Sequence, residues 1–145
     1  MQSNSQEERP GPRKVVLVIE DEPAIGELIA GAIGDEPGFC AIHVAEPGEA
    51  LETAKSVRPD VFVIDVRLPG MTGLELYDKL LRDDPRMRSV PVLFETASGK
   101  ESEREFRRRG IATYVQKPFD LWAIVAYVKR LAAGAASRRR VTSPS

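Results

Sequence analysis

Residues 61–73 have the sequence VFVIDVRLPGMTG, in which four apolar residues lead directly into Asp65. A continuous apolar run of this kind is typical of a parallel strand that is covered on both faces. A Pro-Gly pair then marks a turn, and Thr72 with Glu75 three positions later predicts a helix that begins with a capping box. The segment therefore predicts a buried strand that ends in a carboxylate and is followed by a helix.

The same alternation of strand and helix patterns extends on both sides of this segment. The predicted strands are residues 14–19, 39–45, 61–64, 90–94 and 114–116. The predicted helices begin at Pro23, Pro47, Thr72, Lys100 and Asp120. Five strand–helix pairs predict an α/β domain, a five-stranded parallel sheet that is doubly wound by five helices through right-handed crossovers. We predict that this domain covers residues 13–133 and that the segments 1–12 and 134–145 are disordered tails.

Length and composition exclude several classes of protein. A chain of 145 residues fits one domain. With 21 basic and 22 acidic side chains the net charge is −1, which gives no indication of a nucleic-acid or membrane partner. Cys40 is the only cysteine, so an internal disulfide and a cysteine-rich metal site are excluded. Without a signal peptide pattern or an apolar run near the ~20 residues that span a bilayer, a cytoplasmic protein is expected.

Polar side chains follow four of the five predicted strands. Residues 20–22 are Glu-Asp-Glu, Asp65 ends the third strand, Thr96 the fourth, and Lys117 follows the fifth. Because the carboxyl ends of parallel strands meet at one edge, we expect these side chains to converge. Carboxylates within ~4 Å repel by about 4 kcal/mol at an effective dielectric of about 20, so a proton or a cation must neutralise them. Oxygen ligands without histidine or thiolate suit Mg²⁺, and the set is coherent for forming an acyl phosphate on Asp65.

Four motifs of the sequence resemble a known family, the receiver domain of two-component response regulators. They are VVLVIEDEP, VFVIDVRLPGMTG, VPVLFETAS and YVQKPF, and the resemblance covers about Lys14 to Leu131. Each motif is weak alone, but four in the right order, each at a strand end, make a specific match. The resemblance implies strand order 2-1-3-4-5 and a stand-alone receiver in which Asp65 is reversibly phosphorylated.

The resemblance also assigns roles to residues. It implies that Mg²⁺ or Mn²⁺ is held by Glu20, Asp21, Asp65 and the backbone carbonyl of Arg67. Asp21 would bind the metal directly and Glu20 mainly through water. The residues that would bind the phosphoryl group or respond to it are Thr96, Ala97, Lys117 and Tyr114. A cis peptide bond before Pro118 is also implied.

The partners follow from the same resemblance. A sensor histidine kinase or a histidine phosphotransfer protein would donate the phosphoryl group. An unknown downstream protein would bind the face formed by helix 4, strand 5 and helix 5, and a homodimer would use the same face. No nucleic acid or membrane partner is expected. No enzyme activity is expected beyond self-phosphorylation and self-dephosphorylation.

Some residues depart from the family pattern and keep another hypothesis open. Glu20 stands where many receivers have Asp, Arg67 is a bulky cation beside Asp65, and Glu95 interrupts an apolar strand where it needs a partner or water. The alternative is a phosphorylation-independent interaction module on the same fold. A phosphohydrolase, a flavodoxin or a nucleotide-binding enzyme is disfavoured, because residues 20–25 lack Asp-x-Asp, a hydroxyl-rich phosphate loop and a glycine-rich loop. His43 is interpreted as a structural or exposed strand residue, because the sequence shows no partner for it in catalysis or metal binding.

Overall fold

The computed structural model describes residues 13–97 and 99–141. The strands are β1 Lys14–Ile19, β2 Phe39–Val44, β3 Val61–Asp65, β4 Val92–Thr96 and β5 Tyr114–Gln116. The helices are α1 Pro23–Gly34, α2 Pro47–Val57, α3 Gly73–Asp83, α4 Lys100–Arg109 and α5 Leu121–Val141. These elements confirm the predicted α/β class and the five strand–helix pairs.

The five strands form one parallel sheet in the order β2-β1-β3-β4-β5, which confirms the predicted order. The chain leaves β1 for β2 on one side and then returns across β1 to β3 on the other. The reversal places a crevice beyond the carboxyl ends of β1 and β3, the position where parallel sheets of this kind bind ligands. Asp65 is the last residue of β3 and lies at this crevice.

Each face of the sheet carries its own apolar layer, because alternate residues of a strand point to opposite faces. Ile19, Ile64 and Phe94 belong to the layer that packs against α2, α3 and α4. On the other face a second layer packs against α1 and α5, and its strand residues include Val18, Val63 and Leu93. The central strands are therefore buried on both sides, as their continuous apolar sequences predict.

Two local features differ from the predictions. The turn after β3 is a short antiparallel hairpin, in which Arg67–Leu68 pair with Met71–Thr72. The fourth strand begins at Val92 instead of residue 90, because a 3₁₀ helix at Pro85–Ser89 precedes it.

The capping box of α3 forms as predicted: the Glu75 N–H donates to Thr72 Oγ1 at 3.1 Å, and the Thr72 N–H donates to Glu75 Oε1 at 2.9 Å.

The last helix extends eight residues past the boundary predicted at residue 133, so the predicted disorder from 134 does not describe residues 134–141. Ala132 and Ala135 are buried and continue the apolar stripe of Ile124 and Val128. Alanine is the best helix former, and here it also supplies contact area. Residues 1–12 and 142–145, the rest of the predicted tails, lie outside the described residues. In the part that is described, no helix is long and apolar enough to cross a membrane.

Candidate functional site

Three acidic residues form a row across adjacent strands at the carboxyl edge of the sheet. Glu20 follows β1, Asp65 ends β3, and Glu95 in β4 is the direct register partner of Asp65. The preceding row, Ile19, Ile64 and Phe94, lies on the face of the sheet that packs against α2, α3 and α4. The acids therefore point to the opposite face, which packs against α1 and α5. All three are buried, with at most 2% of their surface exposed.

Lys117 follows β5 and forms an ion pair with Asp65 at the carboxyl edge of the sheet, where β4 lies between β5 and β3. Its Nζ donates to Asp65 Oδ2 at 3.1 Å and lies 4.0 Å from Glu20 Oε1. The other Asp65 oxygen, Oδ1, accepts from the Arg67 N–H at 3.0 Å. Burial lowers the pKa of Lys117, but the hydrogen bond and charge of Asp65 outweigh this and raise that pKa above its ordinary value. Lys117 is therefore a fixed ammonium, and the bond to Pro118 is cis, as expected.

A divalent cation would fit beside this pair. One carboxylate oxygen from each of Glu20, Asp21 and Asp65 lies within 4.8 Å of the others, and Asp21 is open to solvent. These side chains line a cleft of about 300 Å³. The full lining is Glu20, Asp21, Glu22, Ile25, Asp65, Arg67, Ala97 and Lys117. An all-oxygen set that is partly exposed suits Mg²⁺, which retains several of its waters in protein sites.

Burial and mutual repulsion change the protonation of the two glutamates. Burial, followed by the negative charge of Asp65, raises the pKa of Glu20 to about 7, against the opposing effect of Lys117. Burial, followed by the charge of Glu20, raises the pKa of Glu95 to about 9. The two side chains also share a hydrogen bond, which lowers the pKa of Glu20 and raises that of Glu95. Glu95 therefore carries the proton and donates it to Glu20, the partner that its burial requires.

Thr96 and Tyr114 do not enter this cleft. Thr96 follows Glu95 and so points to the other face of the sheet, which packs against α2, α3 and α4. There its hydroxyl donates to Ser102 Oγ of α4 at 2.9 Å. Tyr114 is half-buried, and its ring centroid lies 4.5 Å from that of Phe106. The structure thus brings together six of the eight predicted site residues. They are Glu20, Asp21, Asp65, Arg67, Ala97 and Lys117.

Comparison with known proteins supports the family that the sequence motifs predict. The family model of the response regulator receiver domain matches residues 16–129. This chain belongs to the response regulator receiver domain family. Receiver domains in general interact with histidine kinases or with phosphotransfer proteins. The family predicted from the four strand-end motifs is confirmed.

Individual relatives resemble this receiver domain along most of its length. The probable transcriptional regulatory protein TcrX of Mycobacterium tuberculosis is 34% identical over 122 residues, which are 83% of this chain and 50% of TcrX. The polar-differentiation response regulator DivK of Brucella ovis is 32% identical over 117 residues, which are 80% of this chain and 94% of DivK. This chain thus spans half the length of TcrX and nearly all of DivK.

A solved structure shows the same fold. The chemotaxis protein CheY4 of Vibrio cholerae superposes with a TM-score of 0.73 at 26% identity. The superposition covers 82% of this chain and 98% of CheY4. The likeness extends over nearly all of CheY4 and supports the five-stranded parallel sheet with five helices in this chain.

Two glycines lie close to the acids of this receiver domain, and the sequence analysis did not identify either of them as a site residue. A Cβ on Gly73 would lie 2.2 Å from the Asp65 carbonyl oxygen, so glycine lets the first turn of α3 approach β3. A Cβ on Gly26 would lie 2.1 Å from His43 Nε2, the atom that bonds to the Glu20 carbonyl. The available signal was a glycine in the first turn of each helix, where its poor helix propensity calls for a reason.

Proposed function

We propose that this receiver domain is the phospho-acceptor of a phosphorelay. Asp65 would take a phosphoryl group from a sensor histidine kinase or a histidine phosphotransfer protein, with Mg²⁺ or Mn²⁺ in the cleft. The main support is that Asp65 is held by Lys117 at 3.1 Å while Glu20 and Asp21 place their oxygens within 4.8 Å. Such a set provides a nucleophile, a fixed cation and a cation-binding group for phosphoryl transfer.

In this proposal each side chain has a separate task. Asp21, Asp65 and the Arg67 carbonyl would hold the cation, and Glu20 would hold it through water. The bound cation would neutralise charge on the phosphoryl oxygens. An oxygen of Asp65 would attack phosphorus, and the P–O bond would form as the P–N bond breaks. The histidine would leave as neutral imidazole, because its other ring nitrogen carries a proton and the leaving nitrogen keeps the electron pair of the P–N bond. Lys117, which bonds Asp65 Oδ2 beforehand, would transfer its hydrogen bond to the new phosphoryl group.

The output would begin with Thr96. Its hydroxyl bonds to Ser102 and points away from the acid row, so a contact with the phosphoryl group requires it to leave α4. Tyr114 packs on Phe106 of the same helix and would move into the released space. The α4–β5–α5 face would then change its affinity for a downstream partner. Shifting such an equilibrium from 1:99 to 99:1 takes about 5.5 kcal/mol of differential binding.

Acetyl phosphate provides a direct test. We expect incubation with acetyl phosphate and MgCl₂ to add one phosphoryl group, detected by intact mass, and EDTA or the Asp65→Ala substitution to abolish it. Asp83→Ala is the matched control, because Asp83 is an exposed carboxylate on α3 outside the cleft. An unmodified wild type, or an adduct that persists in Asp65→Ala, would contradict the proposal.

Arg67 favours one second candidate, an interaction module that works without phosphorylation. It lines the cleft beside Asp65, and the positive charge of its side chain opposes the binding of a divalent cation there. Under this candidate the α4–β5–α5 face binds its partner equally well in wild type and Asp65→Ala. Under the main proposal, acetyl phosphate changes partner binding only in the wild type. No enzyme activity beyond phosphorylation and dephosphorylation of Asp65 itself is proposed.

A further inference from the structure

His43 makes a polar contact with the loop that carries the acids. It lies in β2 opposite Val18 of β1, and its Nε2 is 2.8 Å from the carbonyl oxygen of Glu20. A carbonyl oxygen accepts hydrogen bonds and has no proton to give. The Nε2 atom of His43 therefore carries the hydrogen and donates it to Glu20.

This carbonyl belongs to the peptide bond that joins Glu20 to Asp21. Fixing the plane of that bond restricts ψ of Glu20 and φ of Asp21, the torsions that aim the two carboxylates. Strand β2 also holds the other side of Glu20, since the Glu20 N–H donates to the Val44 carbonyl at 3.1 Å. Two consecutive residues of β2 thus anchor the main chain of Glu20 on both sides.

Gly26 makes room for the imidazole. It is buried in α1, and a Cβ at this position would lie 2.1 Å from Nε2 and 2.4 Å from two ring carbons of His43. Any side chain there would force the ring away from Glu20. Glycine costs helix stability relative to alanine, so its presence requires a compensating contact. The contact with His43 supplies that reason.

We propose that His43 is a positioning residue for the divalent-cation site, acting through the main chain of Glu20, and that Gly26 is required to admit it. The inference rests on the proposed function, because it assigns a role toward the cation that the acids would hold. His43 would not touch the cation itself. Groups that orient metal ligands in this indirect way typically contribute 10–100-fold to metal affinity.

The first test measures Mg²⁺ affinity by isothermal titration calorimetry on the full chain. We expect His43→Leu, which keeps bulk and loses the donor, to bind Mg²⁺ about tenfold more weakly than wild type. His43→Gln offers an amide N–H at a similar reach and should recover most of the affinity. Urea unfolding of each variant separates site effects from stability. A folded His43→Leu with wild-type Mg²⁺ affinity would overturn the inference.

A double substitution distinguishes positioning from packing. Gly26→Ala should lower both stability and Mg²⁺ affinity, because the new methyl group displaces the ring. In Gly26→Ala/His43→Ala the clash is gone, so stability should recover while Mg²⁺ affinity remains as low as in His43→Ala. Recovery of both quantities would show that the ring only packs, against the inference. Wild type that binds no Mg²⁺ would instead remove the proposed function on which the inference depends.

Discussion

Glu95 is an acidic side chain at a position of β4 where burial favours an apolar residue. It is fully buried in β4, and it shares a hydrogen bond with the neighbouring carboxyl group of Glu20. The sequence showed the anomaly, since an acid stands between Phe94 and Thr96. It did not show that Glu95 lies in register with Asp65, because pairing between strands 30 positions apart depends on the assembled sheet.

The protonation of Glu95 predicts a pH-dependent stability. Its pKa is about 9 in the folded chain against an ordinary value of 4.5, so the folded chain binds more protons between these values. The contribution of Glu95 to stability is complete below pH 4.5 and is lost as pH rises through 9. We expect Glu95→Gln to gain in Tm over wild type progressively from pH 5 to pH 9, measured by circular dichroism in EDTA. A Tm difference that stays constant with pH would contradict this.

Helix α3 begins close to the end of β3, which carries Asp65. Its first residue, Gly73, donates its N–H to the Val66 carbonyl at 2.6 Å, and a Cβ at Gly73 would lie 2.2 Å from the Asp65 carbonyl oxygen. The start of α3 was predictable from the capping box of Thr72 and Glu75. Its closeness to β3 was not, because periodicity gives the face a helix buries and not the separation between main chains.

Gly73→Ala should therefore distort the end of β3. The added Cβ would lie 2.2 Å from the Asp65 carbonyl oxygen and 2.8 Å from Ile64 Cγ2, contacts that force the helix or the strand to shift. We expect a loss of about 1–3 kcal/mol in the free energy of unfolding, measured with urea. Gly31→Ala in α1 is the control, because its Cβ meets nothing within 4 Å. That substitution should stabilise by about 0.5–1 kcal/mol, and equal effects at the two glycines would refute the steric explanation.

At the scale of the molecule, the parallel sheet made the site predictable in outline. Side chains from residues 20, 65 and 117 meet because their strands are parallel and end at one edge, a consequence of topology alone. Side-chain direction beyond the strand ends was less predictable. Thr96 was expected in the cleft and instead bonds Ser102, because alternation along β4 turns it to the face opposite Glu95. The hydrogen bond from His43 to the Glu20 carbonyl was not predictable either, because it joins residues that are 23 positions apart in the sequence.

If the cleft holds Mg²⁺, cation binding must stabilise the whole fold. Binding to the folded state alone adds about 2.7 kcal/mol when the free cation is at 100 times Kd. We expect the Tm to rise as MgCl₂ is titrated and to return on adding EDTA, followed by differential scanning calorimetry. Asp21→Asn should abolish the rise, whereas Glu52→Gln, an exposed acid on α2, should retain it. An unchanged Tm in wild type at saturating MgCl₂ would exclude a folded-state cation site.

The contact between Gly26 and His43 also restricts the order in which this sequence can change. Any larger residue at position 26 collides with the imidazole as long as it is present. A smaller residue at position 43 removes the collision and leaves Glu20 without its donor. Mutational drift is therefore epistatic at this pair: glycine becomes replaceable only after histidine has gone. A lineage that exchanges the glycine for a better helix former must already have found another anchor for its acidic loop.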